Sequence, residues 1–257
     1  MVSIEDVKKY WSIQPCNIKH SNESIENTKF FEDVSKKRYT VEPHILSFME
    51  LDKFKNKKVL EVGCGIGTDS QTFAENECIY KGIDLTDNAI NICKKRFDLL
   101  NLKGEFEVQN IEEYSTNEKF DLIYSFGVLH HTPNIEKAIE NCYNMLNDDG
   151  VFKLMLYAKN SWKNFKIHDG LDQYEAQNGV PIANVYTKDE VNVLLKKFKN
   201  INIVQTHIFP YKIPEYKQHK LVKEDYFECM PNEIFECLNR NLGWHLCITC
   251  NKYNHTI

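Results

Sequence analysis

The stretch VLEVGCGIGTDS (59–70) decides the fold. A short apolar strand, KKVLEV (57–62), runs into Gly63-Cys64-Gly65-Ile66-Gly67, and helix-forming residues follow to about Asn76. Glycines at this spacing let the backbone turn tightly and approach a ligand without Cβ clashes, and the next helix presents free N–H groups to an acceptor. The pattern is G-x-G-x-G. A dinucleotide fingerprint needs a third glycine one position later, where Thr68 stands, and the Gly-Lys-Ser/Thr ending of a phosphate-binding Walker loop is absent.

Outward from this bend, strand and helix patterns alternate, which predicts an α/β sheet. CIYKGID (78–84) reads as a second strand, GEFEVQ (104–109) as a third, KFDLIYSF (119–126) as a fourth and VFKLMLY (151–157) as a fifth. INIVQTHIF (201–209) and WHLCITC (244–250) read as the last strands. Thr86 or Asp87 caps a helix carrying Ile90, Cys93, Lys94 and Phe97 at helical spacing. Pro133 suits the first turn of another helix, whose apolar stripe is Ile135, Ala138, Ile139, Cys142, Met145 and Leu146, with Gly150 as its stop. Thr187 and Glu190 form a capping box. Three segments stand outside the alternation: 1–52, 159–186 and 210–243. They are rich in aromatic residues, among them Tyr10, Trp11, Trp162, Tyr174 and Tyr226, and read either as walls of a pocket or as ordinary packing of helical insertions.

Asp84 ends the second strand, 17 residues after Gly67. A carboxylate there either accepts from the hydroxyls of a ribose or caps the helix beginning near Thr86. Asn110 and Ile111 follow the third strand, placed to meet an adenine edge through an amide and a backbone N–H, or to start a short helix.

LEVGCGIGT (60–68), GIDLT (82–86), QNIEEY (109–114), FDLIYSFGVLHHTPN (120–134) and LNDDGVF (146–152) together resemble class I S-adenosylmethionine-dependent methyltransferases, most of all the small-molecule group with an LHH segment after the fourth strand. Asn110 departs from the Asp of many relatives, and LNDDG departs from Leu-x-Pro-Gly-Gly. The resemblance implies a Rossmann-like sheet of seven strands, mostly parallel with an antiparallel last strand and helices on both faces. It also implies a helical cap over 1–52 and a methyltransferase domain over 53–257, with cap insertions at about 159–186 and 210–243. S-adenosylmethionine is the implied cofactor and S-adenosylhomocysteine its product. Carried onto this chain, the cofactor residues are Glu61, Gly63, Gly65, Gly67, Asp84, Leu85, Asn110, Ile111, Phe126 and Arg38. In KKRYTVEPHI (36–45) the resemblance implies that Arg38 and Tyr39 reach the methionine end of the cofactor, Arg38 meeting its carboxylate in a fork, with a solvated helix face as the other reading of this charge run. It implies likewise that Asp69 or Thr68 touches the cofactor's amino group, unless they cap the helix after the bend. His131 and Tyr39 are the catalytic candidates, and Tyr10, Trp11, His44 and Tyr157 the substrate contacts. His131 is either a base, a substrate contact or a holder of its loop. His44, His168 and His207 lie in or beside the cap segments as substrate contacts or structural groups.

Composition fits a small-molecule enzyme. Lys plus Arg is 32 and Asp plus Glu is 37, a net charge of −5, which argues against a dedicated nucleic-acid binder. Only KFKNKK (53–58) and LLKKFK (194–199) are basic, so an RNA or protein methyltransferase is the second reading and a non-catalytic cofactor-binding module the third. No apolar run approaches a membrane span, and Met1–Trp11 does not read as a signal peptide. Nine scattered cysteines suggest a reduced, cytoplasmic protein. Cys247 and Cys250 sit three apart in a strand, on opposite faces, with no second pair at zinc spacing, so no metal is expected.

Overall fold

The computed structural model describes residues 2–170 and 179–253, and Tyr174 lies outside them. The five parallel strands of the sequence reading are present: β1 (Lys58–Val62), β2 (Ile79–Asp84), β3 (Glu105–Val108), β4 (Phe120–Phe126) and β5 (Leu146–Ala158), the last starting five residues earlier than expected. A two-residue strand, β6 (Val185–Tyr186), pairs with the end of β5, and β7 (Lys199–Thr206) and β8 (His245–Asn251) complete the sheet. The order is β3-β2-β1-β4-β5-β8-β7, with β6 off this path. β8 runs antiparallel to both β5 and β7, and the other pairs are parallel. The expected seven strands are therefore present, and β6 is an eighth too short to leave a pattern in sequence.

β1 shows why a near-continuous apolar run forms a central parallel strand. Leu60 and Val62 face one core with Ile123, Ile139 and Leu246, and Val59 faces the other with Leu122, Phe73 and Ile90. Helices cover both faces, as parallel sheets require. The connecting helices include α4 (Thr68–Glu75), α5 (Asp87–Leu99), α6 (Ile135–Met145) and α8 (Lys188–Leu194). Thr86 caps α5, and the Thr187–Glu190 capping box starts α8.

The start and end of α6 differ from the sequence reading. Asn134, not Pro133, is the residue at the cap, its side chain accepting from Lys137 N–H at 3.0 Å. Leu146 already belongs to β5, and Gly150 lies within that strand rather than stopping the helix. Between Leu146, paired with Phe120, and Val151, paired with Leu122, the register shifts. A Cβ on Gly150 would come within 2.9 Å of the Asn147 carbonyl oxygen, so glycine serves that irregularity.

The first 52 residues hold α1 (Ile4–Ile13), α2 (Thr28–Val41) and α3 (His44–Met49). Phe30, Phe31 and Val34 of α2 pack on Ile66 and Ile92. Arg96 of α5, fully buried, ties these helices to the glycine bend, donating to the carbonyls of Ile66 and Phe31 at 3.1 Å and to Thr68 Oγ1 at 2.9 Å. The later insertions carry α7 (Trp162–His168), α9 (Ile213–Tyr216), α10 (Asp225–Glu228) and α11 (Asn232–Leu242). Among the described residues no helix is long and apolar enough to cross a membrane.

Candidate functional site

Strands β1 and β4 lie side by side while their chain connections leave in opposite directions, the switch point where an open α/β sheet binds ligands. A cavity of about 510 Å³ opens there. Its floor is the glycine bend and the tip of β2; its walls come from α1, α2, the turn after β4 and the segments flanking β8.

Gly63 and Gly65 have φ of +77° and +54°, in the left-handed region where an L side chain is strained. A Cβ on Gly63 would lie 2.2 Å from Val128, so the bend packs directly against the turn after β4, whereas nothing stands within 4 Å of a Cβ on Gly65. Gly67 does not line the cavity: its constraint is packing, since a Cβ would meet Cys93 Sγ at 2.5 Å.

Asp84 sits on the cavity floor. Its Oδ2 accepts from Gly65 N–H at 3.0 Å, and its Oδ1 accepts from the Thr86 N–H and hydroxyl, each at 2.9 Å. Burial pushes its pKa up, and these donors pull it back. The carboxylate is thus locked in orientation and starts the Thr86 turn. Leu85, Asn110 and Ile111 also line the cavity. The Asn110 side-chain Oδ1 accepts from Glu112 N–H at 3.0 Å, which holds the loop.

At the other side of the bend, Asp69 neither caps α4 nor stands free. It accepts from Arg38 Nε and Nη2 at 3.1 and 3.0 Å, from Tyr39 at 3.1 Å and from Tyr124 at 3.0 Å. The Arg38 fork expected for a ligand carboxylate therefore grips Asp69. Arg38 still lines the cavity, 5.4 Å above the Phe126 ring, with Nη1 toward Glu42 at 3.5 Å. Glu61 reaches the cavity as well, its Oε2 bonded to Ser70 at 2.8 Å and Tyr80 at 2.5 Å. Burial, with nearby Asp69, raises its pKa to about 8.

Tyr39 is a correction. One residue on from Arg38, it is turned about 100° around α2. Its hydroxyl meets Thr72 Oγ1 at 2.8 Å and the Thr68 carbonyl at 3.2 Å, and it does not line the cavity. Burial and Asp69 hold that phenol protonated. Tyr10 is likewise off the cavity wall, packed edge-on against Trp11, which is on it. Tyr157 lines the cavity and stacks on Trp244 at 4.3 Å between centroids.

His131 lines the cavity 5.2 Å from the Trp11 ring. Its Nδ1 lies 2.5 Å from the Ile182 carbonyl oxygen, so Nδ1 carries the proton and Nε2 keeps a lone pair. Burial lowers its pKa to about 4. His130 packs on Tyr157 with centroids 3.7 Å apart and is off the cavity wall.

His44 stands behind the wall, its Nε2 3.0 Å from His245 Nδ1. His207, His245 and Glu42 are on the wall itself. Of these three, sequence reasoning weighed only His207. Glu42 and His245 carry no local motif, and only the spatial cluster marks them.

A family model described as a methyltransferase domain matches residues 60–152. Curated relatives include the ubiquinone biosynthesis O-methyltransferase of Coxiella burnetii, 30% identical over 132 residues, which cover 51% of this chain and 55% of that protein. The enzyme of the same name from Glaesserella parasuis is 33% identical over 101 residues, 37% of this chain and 43% of that one. The chain thus spans about half the length of the curated relatives it matches. Among solved structures, magnesium protoporphyrin IX methyltransferase from Synechocystis PCC 6803 with bound S-adenosylmethionine superposes with a TM-score of 0.59 at 12% identity, covering 98% of both chains. The PH0226 protein of Pyrococcus horikoshii gives 0.59 at 16% identity, covering 95% of this chain and 98% of that one. At such identities the structures speak for the fold. The glycine bend, the Asp84 strand end and the turn after β4 all fall inside the stretch that matches the methyltransferase-domain model.

Proposed function

We propose that this chain transfers a methyl group from S-adenosylmethionine to a small-molecule acceptor, leaving S-adenosylhomocysteine. One observation carries the reading: a locked carboxylate, Asp84, and a side-chain-free bend at Gly65 sit at one end of a cavity whose other walls are aromatic and imidazole side chains. The residues fit the cofactor. Asp84 would accept from the ribose, Asn110 and the Ile111 backbone would meet the adenine edge, and the open space at Gly65 would admit the amino-acid tail. When bound, the cofactor supplies a methyl group already activated on a sulfonium.

The chain's own task is alignment and exclusion of water. Phe126, Tyr157 and Trp11 give apolar, electron-rich walls suited to a positive sulfur and a planar acceptor. His131 is too weak a base to store a proton at neutral pH, so it orients the acceptor through a hydrogen bond accepted at Nε2. A walled cavity, rather than an exposed basic groove, supports a small acceptor over RNA or protein. The O-methyltransferase relatives support an oxygen acceptor. Nine free thiols support a reducing, cytoplasmic setting. The test is a metabolite screen with methyl-labelled cofactor alongside calorimetry with S-adenosylhomocysteine. Label entering a small hydroxylated compound is expected. Label entering only RNA or protein overturns the acceptor class, and absence of cofactor binding overturns the reading.

A further inference from the structure

Beyond the cofactor end, Glu42, His207 and His245 converge from three distant parts of the chain. Glu42 caps the C-terminus of α2, His207 follows β7, and His245 begins β8. Glu42 Oε1 stands 3.7 Å from His245 Nε2 and 3.9 Å from His207 Nε2. These separations are too long for hydrogen bonds. They are close to the spacing of donors around a shared ion, since tetrahedral zinc with ligands at 2.0–2.1 Å places them about 3.4 Å apart. All three ligand atoms lie within 4.8 Å of one another.

We propose that Glu42, His207 and His245 form a binding site for a divalent transition metal, Zn²⁺ by its geometry, whose fourth position opens into the acceptor end of the cavity. Two histidines and one carboxylate are a donor set suited to such ions, and three protein ligands leave a place for an exogenous group. All three residues line the cavity, so that fourth place faces it. His207 and His245 are buried, at 8% and 3% exposure. His44 completes the arrangement. Its Nε2 lies 3.0 Å from His245 Nδ1, and in the tautomer with the proton on Nδ1 this contact leaves the His245 Nε2 lone pair for the ion, the outer partner that metal-binding histidines commonly have. The charges fit too. Arg38 is matched by Asp69 in a two-bond fork, while Glu42 Oε2 meets its Nη1 at 3.5 Å and Glu42 Oε1 stands toward the imidazoles. His207 holds φ at +73°, a conformation uncommon for histidine.

The His44 and His245 rings also pack on Phe126, at 6.0 and 5.4 Å between centroids, and Phe126 lies under Arg38. On the methyl-transfer reading, on which this role rests, the ion would hold an acceptor hydroxyl or thiol near the donor and lower its pKa. Binding itself is tested apart from that reading. Chelator-stripped chain is titrated with Co²⁺ and then Zn²⁺. One tightly bound Co²⁺ is expected, with the intense visible absorption of a four- or five-coordinate site and no thiolate charge-transfer band. His207→Ala and Glu42→Gln are expected to weaken binding by about 100-fold or more, and His44→Ala by about 10- to 100-fold. S-adenosylhomocysteine calorimetry on each variant reports folding. Absence of stoichiometric binding to the unaltered chain, a thiolate band, or affinity unchanged in folded Glu42→Gln overturns the site. If the product binds while cobalt does not, the metal site fails and the methyltransferase reading stands; the reverse result separates them the other way.

Discussion

The two ends of the cavity are assembled differently. Its floor, from Gly63 through Gly65 to Asp84, comes from one strand-bend-helix-strand run, and the residues hold one another by short-range contacts: Gly65 N–H to Asp84, Thr86 to Asp84. The opposite end joins Glu42, His207 and His245, the first two 165 positions apart, brought together because β8 inserts between β5 and β7 while α2 crosses the strand ends. A site made from a contiguous motif is fixed once its own secondary structure forms. A site made from distant elements depends on the whole sheet and its cap.

That contrast is open to direct attack. The largest effect is expected at the floor. Asp84→Ala removes a charged acceptor and releases the Gly65 and Thr86 donors, so S-adenosylhomocysteine affinity should fall by about 100-fold, given roughly 1.5–3 kcal/mol for a hydrogen bond to a charged group plus the loosened bend. Calorimetry returning the parental affinity would remove Asp84 from the site.

Next is a pH effect at the wall. His131 has its pKa lowered by burial from 6.5 to about 4. The unfolded chain takes up a proton that the folded chain refuses, so this contribution is complete above pH 6.5 and is lost as pH falls toward 4, up to about 3 kcal/mol. Urea unfolding of His131→Gln at several pH values should show a flatter acid limb than the parent. Parallel limbs would mean the imidazole is not held neutral.

Gly63→Ala is expected to cost about 2 kcal/mol through its positive φ and the collision with Val128, read as a thermal midpoint about 4–8 °C lower. An unshifted midpoint would show that the bend and the turn after β4 move independently. The smallest effect belongs to Tyr39→Phe. Losing the bonds to Thr72 and Asp69 should reduce stability by about 1 kcal/mol and leave product affinity within about twofold, because the hydroxyl faces α4 rather than the cavity. A large loss of product affinity would return Tyr39 to the site.

How much was legible follows the same division. Local pattern located the seven main strands, the Thr86 cap, the Thr187–Glu190 box and the glycine bend, because each is set by residues within a few positions. It misplaced the end of α6, since Leu146 satisfies the helical stripe and the strand core equally well, and pairing with Phe120 decides for the strand. It paired Tyr39 with Arg38 because adjacency in sequence hides a turn of about 100° on a helix. It gave the Arg38 fork to a ligand because nothing local reveals that Asp69 occupies it.

Sequence by itself determined the parallel sheet, the bend that must be glycine and the carboxylate at the end of β2, all consequences of backbone sterics and side-chain period. Only the tertiary structure decided which rings face the cavity, which carboxylate Arg38 holds, and that Glu42 meets two imidazoles. Those outcomes depend on long-range packing, where a residue's neighbours are set by strand order and helix crossing rather than by its place in the chain.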